Sequence, residues 1–271
     1  MAHQFLVLTV CLAITSLADN QSATNLTTPE ESKNLKPQDA VSDQQDASMK
    51  KADMSSSRST TAYPKDCSEI PKGSPSGPQI LYPQGTFSSY FIAFCDMSSD
   101  GGGWTVIQRN RYGSANIWDQ TWQMYKSGFG SVAAEHWLGN ENIYQLTSQK
   151  MYKVRFVIYD PSNNLRLANY DYFAVESESL GYALRLGRYS GNAGDALMTY
   201  SSSLMQDNMK FSTRDRDQDF SSTNCASTNG GGWWYNSCRY GQLNSYNTIY
   251  WYGFCHGNCK GSEILIKPVN A

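Results

Sequence analysis

Between Asp195 and Gly261 no stretch of the chain repeats its apolar residues with a helical or strand period. Yet this span carries Cys225, Cys238, Cys255 and Cys259, a Gly-Gly-Gly run at 230–232, and three aspartates at alternate positions, Asp215, Asp217 and Asp219. A segment this long with little regular structure of its own has to be pinned by something other than a backbone ladder. Covalent bridges and a metal ion are the two pins these residue types can supply. Long irregular loops held on a scaffold are also where binding usually sits, so the C-terminal third is where function is expected.

The stretch Phe211–Cys238 states the chemistry most directly. Carboxylates at i, i+2 and i+4 beside Ser, Thr and Asn suit a hard cation, because Ca²⁺ takes six to eight oxygen ligands on a flexible loop. An EF-hand does not fit. Counted from Asp215, the sixth position is Phe220 instead of Gly and the twelfth is Ala226 instead of Glu. The expectation is a calcium loop of another kind.

Residues 1–18 read as a secretory signal: the apolar run Phe5–Ile14 is followed by small residues at Ser16 and Ala18. That run is too short to span a bilayer, and no later window of eighteen apolar residues exists. Removing the signal takes Cys11 with it and leaves six cysteines, at 67, 95, 225, 238, 255 and 259. An even count in an oxidising compartment points to three internal bridges, with none spare to link chains. Six cysteines allow fifteen pairings. Sequential pairing is the simplest, with Cys67–Cys95 and Cys225–Cys238 each contributing roughly 3 kcal/mol and the small Cys255–Cys259 loop less. A zinc site built on Cys255, His256 and Cys259 is the alternative to that last bridge.

Residues 19–64 are polar and carry no aromatic before Tyr63, too little apolar area to offset the entropy of ordering, so a disordered linker is expected. It has neither Gly-X-Y periodicity nor sustained heptads. Asn20 and Asn25 match the N-glycosylation pattern. A globular domain spans 65–271. Within it Tyr90–Cys95, Trp104–Arg109, Lys153–Tyr159, Leu165–Phe173, Tyr182–Leu186 and Ile264–Ile266 read as strands. Ser131–Trp137 and Glu141–Thr147 read as short helices, Pro71–Pro83 as turns. With a net charge of −2 and Lys50-Lys51 the only notable basic pair, no nucleic-acid footprint is expected.

The motifs in order carry a resemblance. Asp66-Cys67, Phe94-Cys95-Asp96-Met97, Asp100 to Arg109, Gly128-Phe-Gly130, Trp137 to Glu141, Tyr189 to Asp195, Phe211 to Asp217 and Asn224-Cys225-Ala226 resemble the fibrinogen-related domain over roughly residues 65–268. That domain forms the C-terminal globe of fibrinogen chains, ficolins, tachylectins and angiopoietins. The resemblance implies an α+β fold in three parts: a small N-terminal subdomain closed by Cys67–Cys95, a central twisted and mainly antiparallel sheet with short helices, and a loop-rich C-terminal subdomain carrying calcium. Position by position it implies the side chains of Asp217 and Asp219 and the backbone carbonyls of Ser221 and Thr223 as metal ligands. Asp215 becomes a supporting or solvated carboxylate.

It further implies a ligand pocket beside the calcium loop, at Asn229, Cys238, Arg239 and Tyr246, with Trp234 and Tyr235 nearby. In lectin members that pocket holds an acetyl group and depends on a cis peptide before the cysteine, here Ser237–Cys238. This chain departs from the pattern: Asn229 stands where many lectin members have an aromatic residue, and Arg239 where they have His. The segment after Trp251 also brings its own cysteine pair. An Arg donor and an Asn amide suit a carboxylate or another anionic sugar group.

Trp233, Trp234 and Trp251 read chiefly as core, since aromatics are first of all core formers. Only His136 and His256 outlast the signal, and no Gly-x-Ser-x-Gly or His-Glu-x-x-His motif is present, so no enzyme is expected. The expectation is a secreted, calcium-dependent lectin of innate immunity that recognises glycans or acetylated ligands on microbial or cell surfaces. A protein-binding signalling or matrix module is the alternative. Any oligomer would form noncovalently through the globe.

Overall fold

The computed structural model describes residues 63–85, 89–111, 116–198, 201–246 and 248–271. The signal (1–18), nearly all of the linker, and Asn20 and Asn25 lie outside the described residues. Tyr63 and Pro64 already pack on the globe: the Tyr63 ring is 4.7 Å from that of Tyr82, and the Tyr82 N–H donates to the Pro64 carbonyl.

The chain opens with β1 (Gly77–Leu81), β2 (Phe91–Asp96) and β3 (Trp104–Arg111), followed by α1 (Trp122–Ser127), β4 (Phe129–Gly130), β5 (His136–Trp137) and α2 (Asn140–Thr147). The long hairpin β6 (Tyr152–Tyr159) and β7 (Leu165–Val175) leads to β8 (Leu184–Leu186) and β9 (Tyr189–Gly191). Beyond these lie α3 (Cys225–Asn229), the small strands β10 (Gly241–Gln242), β11 (Tyr250–Trp251) and β12 (Cys255–His256), and finally β13 (Gly261–Pro268).

The main sheet runs β1-β2-β3-β13-β6-β7-β8, and every pair in it is antiparallel. The last strand in sequence is therefore central in space, between β3 and β6. It is longer than the short Ile264–Ile266 strand expected because both of its faces are covered. Ile264 and Ile266 enter the main core, while Leu265 joins Trp104, Val106 and Val157 on the opposite face. A strand buried on both sides shows no alternation to read. Pro78 in β1 is tolerated at the sheet's edge, where its missing N–H costs no ladder bond.

The expected helix at Ser131–Trp137 is not there. Ser131 donates its N–H to the Glu135 carbonyl (2.9 Å) in a tight turn, and His136-Trp137 form β5 against β3 and β4. Tertiary pairing wins because His136 and Trp137 are both buried and His136 bridges two backbone carbonyls, those of Ala134 (3.1 Å) and Val106 (3.3 Å). The helix in this region lies earlier, at α1, where Thr121 caps the Met124 N–H and Gly128 ends it.

Three disulfides form as sequential pairing anticipates: Cys67–Cys95, Cys225–Cys238 and Cys255–Cys259. With Cys255 and Cys259 bonded to each other, the zinc alternative falls. The N-terminal subdomain adds a buried ionic anchor. Asp66 is fully buried and accepts from the Ser68 hydroxyl (2.5 Å), the Tyr152 hydroxyl (2.6 Å) and the Lys150 ammonium (2.9 Å). Burial works against its charge, but the hydrogen bonds from Ser68, Tyr152 and Lys150 outweigh it and hold the carboxyl below its ordinary value.

The core is dominated by interlocked aromatic rings. Phe211 contacts Tyr125 (5.1 Å between centroids), Trp137 (5.8 Å), Trp234 (5.3 Å) and Trp122 (6.4 Å). Trp233, Trp234 and Trp251 are all buried, as their core assignment requires.

Two outcomes follow from this packing. Phe211→Ala should lower the unfolding free energy by roughly 3–5 kcal/mol, measured by denaturant titration, and an effect near zero would contradict the ring cluster described. A lowered native carboxyl stabilises the fold above its unfolded value and ceases to do so as pH falls through the native one. Asp66 should therefore contribute to acid sensitivity below pH about 4, a contribution that Asp66→Asn removes from the dependence of stability on pH.

Candidate recognition surface of the C-terminal subdomain

The loop that carries the three aspartates is held at both ends before any ligand is considered. At its start Ser212 and Trp233 exchange backbone hydrogen bonds (2.9 and 3.1 Å), and Gln218 donates to the Ser212 hydroxyl and the Phe211 carbonyl. At its end Asn224 caps α3 through the Ser227 N–H, and its amide donates to the Thr213 carbonyl. Midway the Phe220 N–H donates to the Asn236 carbonyl (3.1 Å).

Asp215 takes a structural role. Its Oδ1 accepts from the Trp122 N–H (2.8 Å), the first of α1, and from the Thr213 hydroxyl (2.7 Å). Burial opposes its charge, but these two donors more than compensate and keep the carboxyl low.

Asp217 and Asp219 face one another. The Asp217 Oδ1 accepts from the Asp219 N–H (3.2 Å), while Asp219 accepts from Ser221 N–H at Oδ1 and Cys225 N–H at Oδ2, both 2.9 Å. Partial burial raises the Asp219 carboxyl. The Cys225 and Ser221 N–H groups pull it back, and the neighbouring Asp217 charge pushes it up again, leaving it above its ordinary value. Two carboxylates set against each other repel unless a cation lies near both. Among the described residues the Ser221 and Thr223 carbonyls accept no hydrogen bond. No three His, Cys, Asp or Glu side chains gather among the described residues, so a cation here would rest on two carboxylates and on backbone oxygen. That all-oxygen donor set fits Ca²⁺ and suits neither zinc nor copper.

Asn229, Cys238, Arg239 and Tyr246 are brought to one neighbourhood, and two residues unmarked in the sequence do it. Gln242, fully buried on β10, accepts from the Arg239 guanidinium and donates to the Asn229 carbonyl (3.3 Å). Ser245 donates to that same carbonyl (3.4 Å), and Tyr246 follows it with 37% of its surface exposed. The Asn229 amide is turned inward to the Cys225 carbonyl (2.7 Å), so it is less available to a ligand than the sequence suggests. Arg239 lies over the Tyr250 ring at 5.3 Å. Trp234 and Tyr235 are buried beneath. Buried glutamine and serine carry no signal in a single sequence, because their use depends on which carbonyls the fold leaves unpaired.

No peptide bond among the described residues is cis, so Ser237–Cys238 is trans. Trans is the default, since a non-proline cis bond costs about 3 kcal/mol, and here Asn236 N–H closes the turn onto the Cys238 carbonyl (3.0 Å).

The third disulfide adds a further feature. Cys255–Cys259 anchors β12 beside β11, and the rings of Tyr240, Tyr252 and His256 stack in a ladder, 4.1 Å and 5.7 Å between successive centroids. Tyr252 is 45% exposed.

Comparison with known proteins agrees with the fold. A 198-residue alignment to the chicken fibrinogen-like protein 1-like protein is 48% identical and covers 72% of this chain and 69% of that one. Techylectin-5A of Tachypleus tridentatus is 40% identical, over 67% of this chain and 62% of that protein. Mouse angiopoietin-related protein 7 is 42% identical, over 65% of this chain, which spans only 54% of that relative's length. Among solved structures, the fibrinogen-like globe domain of human ANGPTL2 superposes with a TM-score of 0.68 at 37% identity, covering 76% of this chain and 99% of that domain. Lamprey fibrin D-dimer, solved with the peptide ligand Gly-His-Arg-Pro-amide, gives 0.71 at 30% identity over 83% of this chain and 79% of that one. Residues 63–267 match the family described as fibrinogen beta and gamma chains, C-terminal globular domain, and the chain belongs to that family.

Proposed function

We propose that this protein is a secreted, calcium-dependent recognition protein that binds glycans through the shelf beside the Asp217–Asp219 loop. The observation that carries this reading is the mechanical link between loop and shelf. Asp219 holds the Cys225 N–H, Cys225 is bonded to Cys238, and Arg239 follows Cys238 directly. Asp217, Asp219 and the carbonyls of Ser221 and Thr223 would hold the ion, which supplies charge neutralisation and rigidity. This chain's residues do the rest: Arg239 donates to an anionic or polar group on the ligand, and the Tyr246 and Tyr252 rings offer apolar faces for sugar C–H surfaces.

The similarity to a protein named a techylectin supports the glycan reading. Neither described histidine looks catalytic. Burial lowers His136, which is locked between two carbonyls, and His256 sits in the ring ladder. Binding rather than catalysis is therefore inferred. No helix among the described residues is long and apolar enough to cross a membrane, and the leader at 1–18 supports export. The second reading, a protein-binding module, rests on the similarity to angiopoietin-related proteins.

Titration calorimetry on the purified chain should show saturable Ca²⁺ uptake that Asp217→Ala/Asp219→Ala abolishes. Because partial burial and the Asp217 charge raise the Asp219 carboxyl, Ca²⁺ binding should release protons, and its affinity should fall as pH drops through that raised value. No uptake at neutral pH would remove the calcium reading. On a glycan array, calcium-dependent binding to acidic sugars should be lost in Arg239→Ala. Calcium-independent binding to a single protein, with no glycan bound, would favour the second reading.

A further inference from the structure

The outer face of the sheet gathers charge that the recognition surface does not use. Trp104 on β3 is surrounded there by cations from two neighbouring strands. Arg155 and Lys153 of β6 lie 4.7 and 5.6 Å from its ring centroid, and Lys267 of β13 lies 5.9 Å from it. Lys153 and Lys267 are direct cross-strand partners, a like-charge pairing that weakens a sheet. Lys72 adds a fourth positive charge that acts on Lys267. Against these stands Asp100, which Arg155 already engages at 2.9 Å.

Lys267 is the informative member. It is 8% exposed as a residue, with its ammonium reaching solvent, and no hydrogen bond to that ammonium is found among the described residues. Among the described residues no ion pair joins it or Lys72 to a carboxylate, the chain terminus included. An ammonium set directly across the ladder from another is unfavourable unless an anion lies near both. Lys267 lines a cavity of about 430 Å³ together with Lys72, Ser68, the backbone of Gly101–Gly103, and Asn270 and Ala271 at the C-terminal end. These glycines have φ values of 82°, 72° and 75°, and a Cβ at Gly102 would lie 2.4 Å from the Met97 carbonyl oxygen, so side chains are kept out of this wall. Burial and the neighbouring Lys153, Lys72 and Arg155 charges outweigh Asp100 and push the Lys267 pKa down.

We propose that this cavity is an anion site that takes a sulfate or phosphate group, free or as an ester on a sugar chain, with Lys267 and Lys72 as its donors. Lys153 and Arg155 raise the local potential from around Trp104. The site is built by other elements than the Asp217–Asp219 loop and does not depend on calcium.

The test is calorimetry on the full chain at low ionic strength with sodium sulfate, sodium phosphate and a heparin-derived hexasaccharide, with and without EDTA. Saturable, salt-sensitive and EDTA-insensitive binding is expected, weakened at least tenfold in Lys267→Met and in Lys72→Gln/Lys153→Gln, and unchanged in Asp217→Ala/Asp219→Ala. Binding of inorganic anions as tight as that of the hexasaccharide assigns the site to the free ion. Markedly tighter hexasaccharide binding assigns it to the ester. Sulfate should also raise the melting temperature of the wild-type chain and not that of Lys267→Met. Should Lys267→Met fail to fold, Lys72→Gln on an exposed side chain still decides the matter. Absence of binding by all three probes, or wild-type affinity in Lys72→Gln/Lys153→Gln, overturns the proposal.

Discussion

Packing of Phe211 among Trp122, Tyr125, Trp137 and Trp234 is the contact on which the irregular third of the molecule depends. Phe211 opens the aspartate-bearing loop, and Trp233 and Trp234 close the hairpin that returns from it. The same rings reach α1 and β5 on the scaffold side. Large rings removed from water supply most of the driving force here, since loops contribute few backbone ladder bonds. Disulfides and local caps then select one arrangement for a segment already tethered. Ser212–Trp233 pairing and the Cys225–Cys238 bridge do this within a few residues of the anchor.

That order of construction explains why the acidic loop can tolerate its own repulsion. Asp217 and Asp219 sit together at the surface while Asp215, two residues earlier, is drawn into the start of α1. Three carboxylates that look equivalent in the chain are thereby divided, one bonded to the start of α1 and two set against each other. The division follows from which backbone N–H groups each can reach, and Trp122 N–H is available to Asp215 because α1 needs an acceptor at its first turn.

Charge on the outer sheet face illustrates a different kind of assembly. Lys72, Lys153, Arg155 and Lys267 are scattered over nearly the whole globe in sequence, and no local run announces them. Antiparallel pairing of β13 with β6 places Lys267 opposite Lys153. Trp104 then collects the cations around one ring. The formal net charge of −2 conceals this patch entirely, because net charge has no spatial content.

Much of the fold was legible without coordinates. The alternation of Val154, Phe156 and Ile158 against Arg155 and Val157 marked β6 and its faces, since a half-buried strand must alternate. The Asp160–Asn164 turn marked its partner β7, and α2 was readable from its length and composition. The order of motifs from Asp66 to Ala226 indicated the family, and cysteine spacing was enough for sequential pairing. What the chain alone could not decide was every feature set by distant neighbours. β13 hid its central place because it is buried on both faces. His136-Trp137 became a strand against local helical preference because β3 offered it hydrogen bonds. Gln242 and Ser245 gained their bridging roles only when folding presented the Asn229 carbonyl to them. Local period and turn chemistry act over a few residues, whereas pairing partners, buried acceptors and pooled charge exist only once separate strands have met.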